Sequence, residues 1–140
     1  MPVTDLNGGY LHKKEIKNLN VLLVEDNAMN QLLAQKVLSD WDWKVDVVEN
    51  GMEAIEKIGS KDFDIILMDI QMPAMDGYET TQQIRNNFQA PKCNVPIIAM
   101  TAHLSSIEED KCYKVGMNGY ISKPFDNEVL YGKIVSVMKA

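Results

Sequence analysis

The feature that most constrains the fold is the alternation of short, largely apolar runs with segments of helical periodicity. The runs are Val21–Val24, Val45–Val48, Phe63–Met68, Val95–Met100 and a shorter fifth segment, Asn118–Ile121. Apolar runs of roughly four to eight residues are typical of strands that are covered on both faces. Strands that alternate with amphipathic helices form parallel sheets with helices on both sides, and right-handed crossovers leave few topologies. The sequence therefore predicts a doubly wound α/β fold of five strand–helix units.

Each run is followed by apolar residues that recur at helical intervals. The predicted helices are a segment carrying Met29, Leu32, Leu33 and Val37, a segment from Gly51 through Ala54, Ile55 and Ile58, a segment from about Tyr78 to Asn87, a segment from about Leu104 to Val115, and a last helix that carries Val129, Leu130, Ile134, Val137 and Met138. Asp126 precedes the last helix and is a favourable N-cap residue. The number of helices therefore matches the number of strands.

Charge and composition exclude several classes of function. The chain has 140 residues with 14 basic and 20 acidic side chains, a formal net charge of −6, whereas direct nucleic-acid binding needs a basic face. Its two cysteines, Cys93 and Cys112, are too few for a disulfide framework and fit a reducing compartment. No apolar run has the length of a bilayer span, and the N-terminus lacks the apolar core of a signal peptide. We expect a cytoplasmic domain that contacts neither nucleic acid nor membrane.

The N-terminal segment has neither helical nor strand periodicity. It contains Gly8-Gly9 and a charged run, His12–Glu15, and such composition is typical of linkers. We interpret residues 1–19 as a leader or interdomain linker and residues 20–140 as one folded domain.

Polar residues stand where the predicted strands end. Glu25 and Asp26 follow the first strand, Asp69 follows the third, Thr101 follows the fourth, and Lys123 lies just after the fifth. Because the carboxyl ends of parallel strands share one edge of the sheet, where ligands bind, we expect these side chains to lie close together. Taken singly, each has an ordinary explanation as a helix-capping, turn or loop residue. Their joint occurrence at strand ends favours a functional site.

Three carboxylates at one edge need a compensating cation. Two carboxylates about 4 Å apart repel each other by about 4 kcal/mol at an effective dielectric constant near 20, so either some are protonated or a cation binds. Oxygen ligands suit Mg²⁺, which commonly combines one or two carboxylates with waters and a phosphate oxygen. The sequence has no cluster of Cys and His that would favour zinc. We predict a Mg²⁺ site at Asp26 and Asp69, with Glu25 acting through water.

A carboxylate beside a divalent cation, a lysine and a threonine can attack a phosphoryl group and hold it as an acyl phosphate. Asp69 is the predicted nucleophile because it ends the central strand. Lys123 would pair with a phosphoryl oxygen, and Thr101 would donate a hydrogen bond to the phosphoryl group. The sequence therefore predicts phosphoryl transfer onto the protein itself.

Four motifs in this order resemble the receiver domain of two-component response regulators. They are VLLVEDN at 21–27, MDIQMPAMDG at 68–77, MTAH at 100–103 and GYISKPF at 119–125, and the similarity covers about Asn20 to Ala140. The resemblance implies a flavodoxin-like (βα)5 fold with a parallel five-stranded sheet in the order 2-1-3-4-5. It also implies Mg²⁺-dependent transfer of phosphate from a histidine kinase or a histidine phosphotransfer protein to Asp69.

The resemblance assigns roles to further residues. The backbone carbonyl of Gln71 would be a metal ligand, and the peptide bond between Lys123 and Pro124 would be cis. Thr101 and Tyr120 would form a switch pair that alters a protein-interaction surface after phosphorylation. Gln71 and His103 would flank the phosphoryl site and set the hydrolysis rate, so we expect His103→Ala to change the phosphorylated half-life.

Some motif details are more similar to the receivers of hybrid sensor histidine kinases than to free-standing receivers. These are EDNAMNQ at 25–31, MDIQMP at 68–73 and TAH at 101–103. We therefore expect a hybrid-kinase receiver, with a free-standing single-domain response regulator as the alternative. Such a domain would catalyse only its own phosphorylation and dephosphorylation. The sequence leaves homodimerisation open.

Three other functions compete with this interpretation. An aspartyl-nucleophile phosphatase or dehalogenase would need a second acid two residues after Asp69, where Gln71 stands. A pseudo-receiver would lack the acidic pair, the acceptor or the lysine, and all of them are present. A flavodoxin would need a phosphate-binding loop after the first strand, whereas Glu25 and Asp26 repel phosphate. The sequence favours the phospho-accepting receiver over each.

Overall fold

The computed structural model describes residues 18–102 and 105–139 and shows five alternating strands and helices. The strands are β1 Asn20–Val24, β2 Lys44–Val48, β3 Ile65–Asp69, β4 Ile97–Thr101 and β5 Gly119–Ser122. The helices are α1 Ala28–Asp40, α2 Gly51–Ser60, α3 Gly77–Asn87, α4 Ser106–Lys114 and α5 Asn127–Lys139, and a 3-10 turn at Lys92–Asn94 precedes β4. The predicted succession of five strand–helix units is confirmed.

All the strands form one parallel sheet in the order β2-β1-β3-β4-β5. This is the order that the resemblance implied. In the register of the sheet, Val24 pairs with Met68 and Asp69 pairs with Met100. The carboxyl ends of β1, β3 and β4 therefore lie side by side at one edge.

The sheet separates two halves of the hydrophobic core. Alternate residues of the central strands face opposite sides: Val21 and Leu23 of β1 pack with α1 and α5, whereas Leu22 and Val24 pack with α2, α3 and α4. Every residue of β3 and β4 is buried. Packing on both faces of the sheet thus fixes the position of the strand ends that carry the polar residues.

Side-chain caps fix the point at which helices leave this edge of the sheet. Asn27, Asn50, Asp76 and Ser105 each accept a hydrogen bond from the backbone NH three residues later, and Asp76 also forms a capping box with Glu79. The prediction for Asp126 is confirmed, because its carboxylate accepts from the backbone NH groups of residues 128 and 129 at 2.7 and 3.3 Å. Caps of this kind define the first turn of a helix and hold the preceding loop in place.

Two sequence predictions about the elements need correction. The third and fourth strands begin at Ile65 and Ile97 rather than at Phe63 and Val95; Pro96, which has no NH group to donate, precedes β4. The helix predicted from the spacing of Met29, Leu32 and Leu33 is present, yet these three side chains are 63, 63 and 54% exposed. The face that α1 buries is formed by Ala34 and Leu38 instead.

Some predictions fall outside the described residues. These are most of the proposed leader at 1–19 and the role of His103, so the domain boundary and the effect of His103→Ala stay predictions. Within the described ranges, no helix is both long and apolar enough to cross a bilayer.

Candidate functional site

The structure brings the polar residues from four strand ends to one edge of the sheet. Glu25 and Asp26 follow β1, Asp69 is the last residue of β3, and Thr101 is the last residue of β4. Lys123 follows β5 directly, and its backbone NH donates to the carbonyl of Thr101 at 2.7 Å. Residues separated by up to 98 positions in sequence therefore meet in one place, as the strand-end argument predicted.

Three carboxylates form a tight cluster at this edge. Oxygen atoms of Glu25, Asp26 and Asp69 all lie within 4.8 Å of one another. Glu25 and Asp69 are only 1 and 2% exposed, whereas Asp26 is exposed. The cluster is therefore open to solvent at Asp26 and enclosed by protein around Glu25 and Asp69.

Lys123 places one positive charge beside the cluster. Its Nζ lies 3.1 Å from Oε1 of Glu25 and 3.2 Å from Oδ1 of Asp69. Burial by itself would lower the pKa of Lys123, but the charges of Asp69 and Glu25 outweigh that effect and raise the pKa. Lys123 therefore stays protonated and bridges the two buried carboxylates.

Asp69 is the carboxylate whose ionisation is most perturbed. Its pKa is raised from 3.8 to about 6, chiefly by burial and then by the charge of the adjacent Glu25, while Lys123 acts in the opposite direction. One lysine thus does not fully compensate two buried carboxylates. A divalent cation bound by oxygen atoms would supply the missing charge, and this donor set of carboxylates fits Mg²⁺.

Residues of the loop after β1 and of α1 hold Glu25, and sequence reasoning did not find them. The backbone NH of Asn27 donates to Oε2 of Glu25 at 3.1 Å, and Nδ2 of Asn30 approaches the same oxygen at 3.5 Å. Nε2 of Gln31 donates to the Glu25 carbonyl at 2.7 Å. Both carboxylate oxygens of Glu25 are thus engaged by the protein, and its action through water stays a prediction. The sequence could not predict these contacts, because whether the side chains of Asn30 and Gln31 reach Glu25 depends on where α1 begins.

The remaining predicted residues lie around the cluster. Thr101 is 2% exposed and follows Met100, the β4 residue that pairs with Asp69. The backbone NH of Gln71 donates to Oδ1 of Asp69 at 3.2 Å, while its side chain is exposed. Tyr120 lies half-buried in β5, farther from the cluster.

The ring of Tyr120 lies between two helices. Its centroid is 6.3 Å from that of Tyr113 in α4, with the rings nearly perpendicular, and 5.2 Å from Nζ of Lys133 in α5. The peptide bond between Lys123 and Pro124 is cis, as the resemblance implied. The cis bond between Ala90 and Pro91 was not predicted.

Comparison with known proteins agrees with the geometry. Residues 21–135 match the family described as response regulator receiver domain. The chain is 40% identical over 131 residues to probable histidine kinase 4 of Oryza sativa subsp. japonica, which covers 80% of this chain and 13% of that kinase. It is 42% identical over 113 residues to hybrid signal transduction histidine kinase B of Dictyostelium discoideum, which covers 74% of this chain and 6% of that kinase. The chain therefore spans only a small part of these relatives.

Solved structures show the same fold. The receiver domain of the sensor histidine kinase PA1611 of Pseudomonas aeruginosa, with a magnesium ion coordinated in its active-site cleft, superposes with a TM-score of 0.79 at 34% identity, covering 88% of this chain and 99% of that one. The receiver domain of Ssk1 of Saccharomyces cerevisiae, in complex with the histidine phosphotransfer protein Ypd1, gives 0.78 at 32% identity, covering 87% and 90%.

The relatives favour the hybrid-kinase class of receiver over the free-standing alternative. The five-stranded sheet in the order 2-1-3-4-5 and the match over most of the chain agree on the fold class. The chain belongs to the response regulator receiver domain family of two-component systems, and it is homologous to the receivers of hybrid histidine kinases.

Proposed function

We propose that Asp69 accepts a phosphoryl group from a phosphohistidine of a histidine kinase or a histidine phosphotransfer protein. The observation that carries this proposal is the position of the Asp69 carboxylate, within 4.8 Å of the Glu25 and Asp26 carboxylates and 3.2 Å from Nζ of Lys123. A buried nucleophile with acidic neighbours and one adjacent lysine is the arrangement that phosphoryl transfer to a carboxylate needs.

The reaction balances without any other covalent group. A carboxylate oxygen of Asp69 attacks phosphorus, the bond between phosphorus and the donor imidazole breaks, and the imidazole takes up a proton as it leaves. Lys123, already 3.2 Å from Oδ1 of Asp69, then pairs with a phosphoryl oxygen, and the Thr101 hydroxyl donates to another. The product is an acyl phosphate on Asp69.

Asp26, Asp69 and the backbone carbonyl of Gln71 would hold Mg²⁺, with Glu25 acting through water. When bound, Mg²⁺ neutralises charge on the phosphoryl oxygens and lowers the repulsion between the incoming group and the acidic cluster. The attacking carboxylate of Asp69 must be ionised, and its raised pKa of about 6 disfavours that form. A bound cation would favour the ionised form.

A groove between α1 and α5 adjoins this cluster, and we propose that the donor protein docks there. The groove has a volume of about 290 Å³ and is bordered by Leu33, Val37 and Phe125 as well as by Glu25 and Lys123. Met29 and Leu32 of the same helix do not line the groove but are exposed apolar side chains as well. A partner that covers this surface would bring its phosphohistidine to Asp69 and exclude water from the transfer.

In this proposal the domain is a cytoplasmic signalling element that catalyses only its own phosphorylation and dephosphorylation. Phosphorylation at Asp69 would move Thr101 and Tyr120 and thereby change the surface formed by α4, β5 and α5.

The test combines a small and a protein phosphodonor. With phosphoramidate and Mg²⁺, intact-mass measurement should show one added phosphoryl group on the wild-type chain and on Asp62→Asn, and none on Asp69→Asn or after chelation. Asp62 is a matched control because its side chain is 90% exposed and pairs with Lys92. With a phosphorylated histidine phosphotransfer protein as the donor, Leu33→Glu should slow transfer while leaving the reaction with phosphoramidate unchanged. Met52→Glu, on α2 at 62% exposure, should affect neither.

No added mass on the wild-type chain with Mg²⁺ present would favour a pseudo-receiver. Rapid turnover of unrelated phosphoesters would instead favour the aspartyl-nucleophile enzyme. Equal slowing by Leu33→Glu and Met52→Glu would remove the docking groove from the proposal.

A further inference from the structure

Helix α4 is weakly anchored by apolar contacts. Cys112 is the one residue of α4 that is buried, whereas Ile107 is 78% exposed and Tyr113 is 46% exposed. A helix of nine residues with one buried side chain gains little from packing. The polar contacts of α4 therefore contribute to its position.

Two of those contacts are made with Tyr78 of α3. The Tyr78 hydroxyl donates a hydrogen bond to Oε1 of Glu108, and Nζ of Lys111 lies 4.4 Å from the centroid of the Tyr78 ring. Glu108, Lys111 and the buried Cys112 are three and four residues apart, so they share one face of α4. Burial and the hydrogen bond to Glu108 raise the pKa of Tyr78, which keeps the phenol protonated as a donor. Tyr78 is thus the point at which α4 is attached to α3.

Tyr78 is also connected to the backbone of Asp69. The residue before it, Gly77, donates its NH to the carbonyl of Ile70 at 2.9 Å. A Cβ atom at position 77 would lie 2.6 Å from the Asp69 carbonyl oxygen and 2.9 Å from Cα of Ile70. The first turn of α3 therefore rests directly on the backbone of the proposed phosphoacceptor, and any shift of that backbone must displace Tyr78.

We propose that the hydrogen bond between Tyr78 and Glu108 is a positioning contact that holds α4 in its unphosphorylated arrangement, and that its loss shifts the receiver toward the phosphorylated arrangement. The inference rests on the proposed function of Asp69. Lys123 contacts the free carboxylate of Asp69, so the contacts described here are those of the unphosphorylated chain. This connection runs through α3 and is separate from Thr101 and Tyr120.

The consequence is thermodynamic. A contact that exists equally in both arrangements changes the stability of both and leaves the affinity for a phosphoryl group unchanged. A contact that exists only in the unphosphorylated arrangement opposes phosphorylation, and removing it must strengthen binding of a phosphoryl mimic by the same factor.

The experiment measures the affinity for beryllium trifluoride in the presence of Mg²⁺ by calorimetric titration, because this group adds to a carboxylate as a phosphoryl mimic. Tyr78→Phe removes one hydroxyl and keeps the ring, and we expect it to bind the mimic roughly fivefold more tightly than the wild type. Glu108→Ala should do the same, and the double variant should gain no more than either single variant. Glu108→Gln, which keeps an acceptor oxygen, should return the affinity toward the wild-type value. Tyr113→Phe on the same helix is the matched control.

Unchanged or weaker binding in Tyr78→Phe and Glu108→Ala would overturn the inference, as would effects that simply add in the double variant. If Tyr78→Phe does not fold, Glu108→Ala decides, because Glu108 is only partly buried whereas Tyr78 is buried. Failure of the wild-type chain to bind the mimic at all would instead refute the proposed function, so the two failures are distinguishable.

Discussion

At the scale of single residues, burial and charge compete most directly at Asp69. Its carboxylate is 2% exposed and lies beside a second buried carboxylate, with Lys123 as the compensating cation. The sequence predicted this grouping because strand ends can be located from apolar runs. The contacts of Asn30 and Gln31 with Glu25 could not be predicted, because they depend on the rotational position of a helix whose exposed and buried faces are both apolar.

Asp69→Asn should stabilise the metal-free fold at neutral pH. The pKa of Asp69 rises from 3.8 to about 6 on folding, so between these values the folded state binds a proton that the unfolded state releases. Stability therefore falls as pH rises through this window, by up to about 3 kcal/mol for this group. The asparagine keeps an acceptor for the backbone NH of Gln71 and removes the charge.

Urea unfolding in the presence of a chelator at pH 5 and pH 7.5 measures this effect. The gain of Asp69→Asn over the wild type should be larger at pH 7.5, whereas Asp62→Asn should show no such dependence. A loss of stability at pH 7.5 would show that the contact between Lys123 and Asp69 outweighs the burial of the charge.

At the scale of elements, the sequence predicted that a helix follows each strand but not which side each helix buries. The spacing of Met29, Leu32 and Leu33 indicates an apolar stripe, and the stripe exists, but the structure leaves it in solvent. The small side chain of Ala34 allows α1 to approach the sheet closely, and periodicity gives little weight to alanine. An apolar stripe predicts a helix more securely than it predicts what covers the stripe.

Two glycines in helices should respond in opposite ways to substitution by alanine. At Gly77 the new Cβ would lie 2.6 Å from the carbonyl oxygen of Asp69, and a backbone atom cannot move aside cheaply, so we expect a loss of about 1–3 kcal/mol. At Gly132 of α5 no atom beyond its chain neighbours and its own helix backbone lies within 4 Å of the new Cβ, so we expect a gain of roughly 0.5–1 kcal/mol from helix propensity.

Thermal unfolding of the two variants beside the wild type measures the difference. A Gly77→Ala variant as stable as the wild type would mean that α3 can move away from Asp69. That result would also weaken the connection from Asp69 to Tyr78.

At the scale of the whole molecule, strand order is the property that sequence periodicity alone could not supply. Alternation of strands and helices allows several parallel sheets, and the order 2-1-3-4-5 came from the resemblance. The structure confirms that order, and the order decides the chemistry, because it places β1 beside β3 and so brings Glu25 and Asp26 to Asp69. A correct prediction of the strand order is therefore also a prediction of which residues meet at the site.

Mg²⁺ should stabilise the folded chain by mass action. The carboxylate cluster is assembled only in the folded state, so the melting temperature should rise progressively with Mg²⁺ concentration. Asp26→Asn should reduce the rise, since it replaces the exposed carboxylate of the cluster with a neutral amide. Differential scanning calorimetry at matched ionic strength measures this, with Asp62→Asn as the control. An equal rise with sodium chloride would assign the effect to screening.

The division of the helices between the two faces of the sheet has a steric consequence. α1 and α5 pack on one side, and α2, α3 and α4 pack on the other. A protein seated against α1 leaves α4 uncovered, so delivery of the phosphoryl group and reading of the altered helix need not exclude each other. The proposed docking groove and the proposed surface formed by α4, β5 and α5 share α5, so a donor on one face of the sheet and a partner on the other could bind together only where that partner relies on α4.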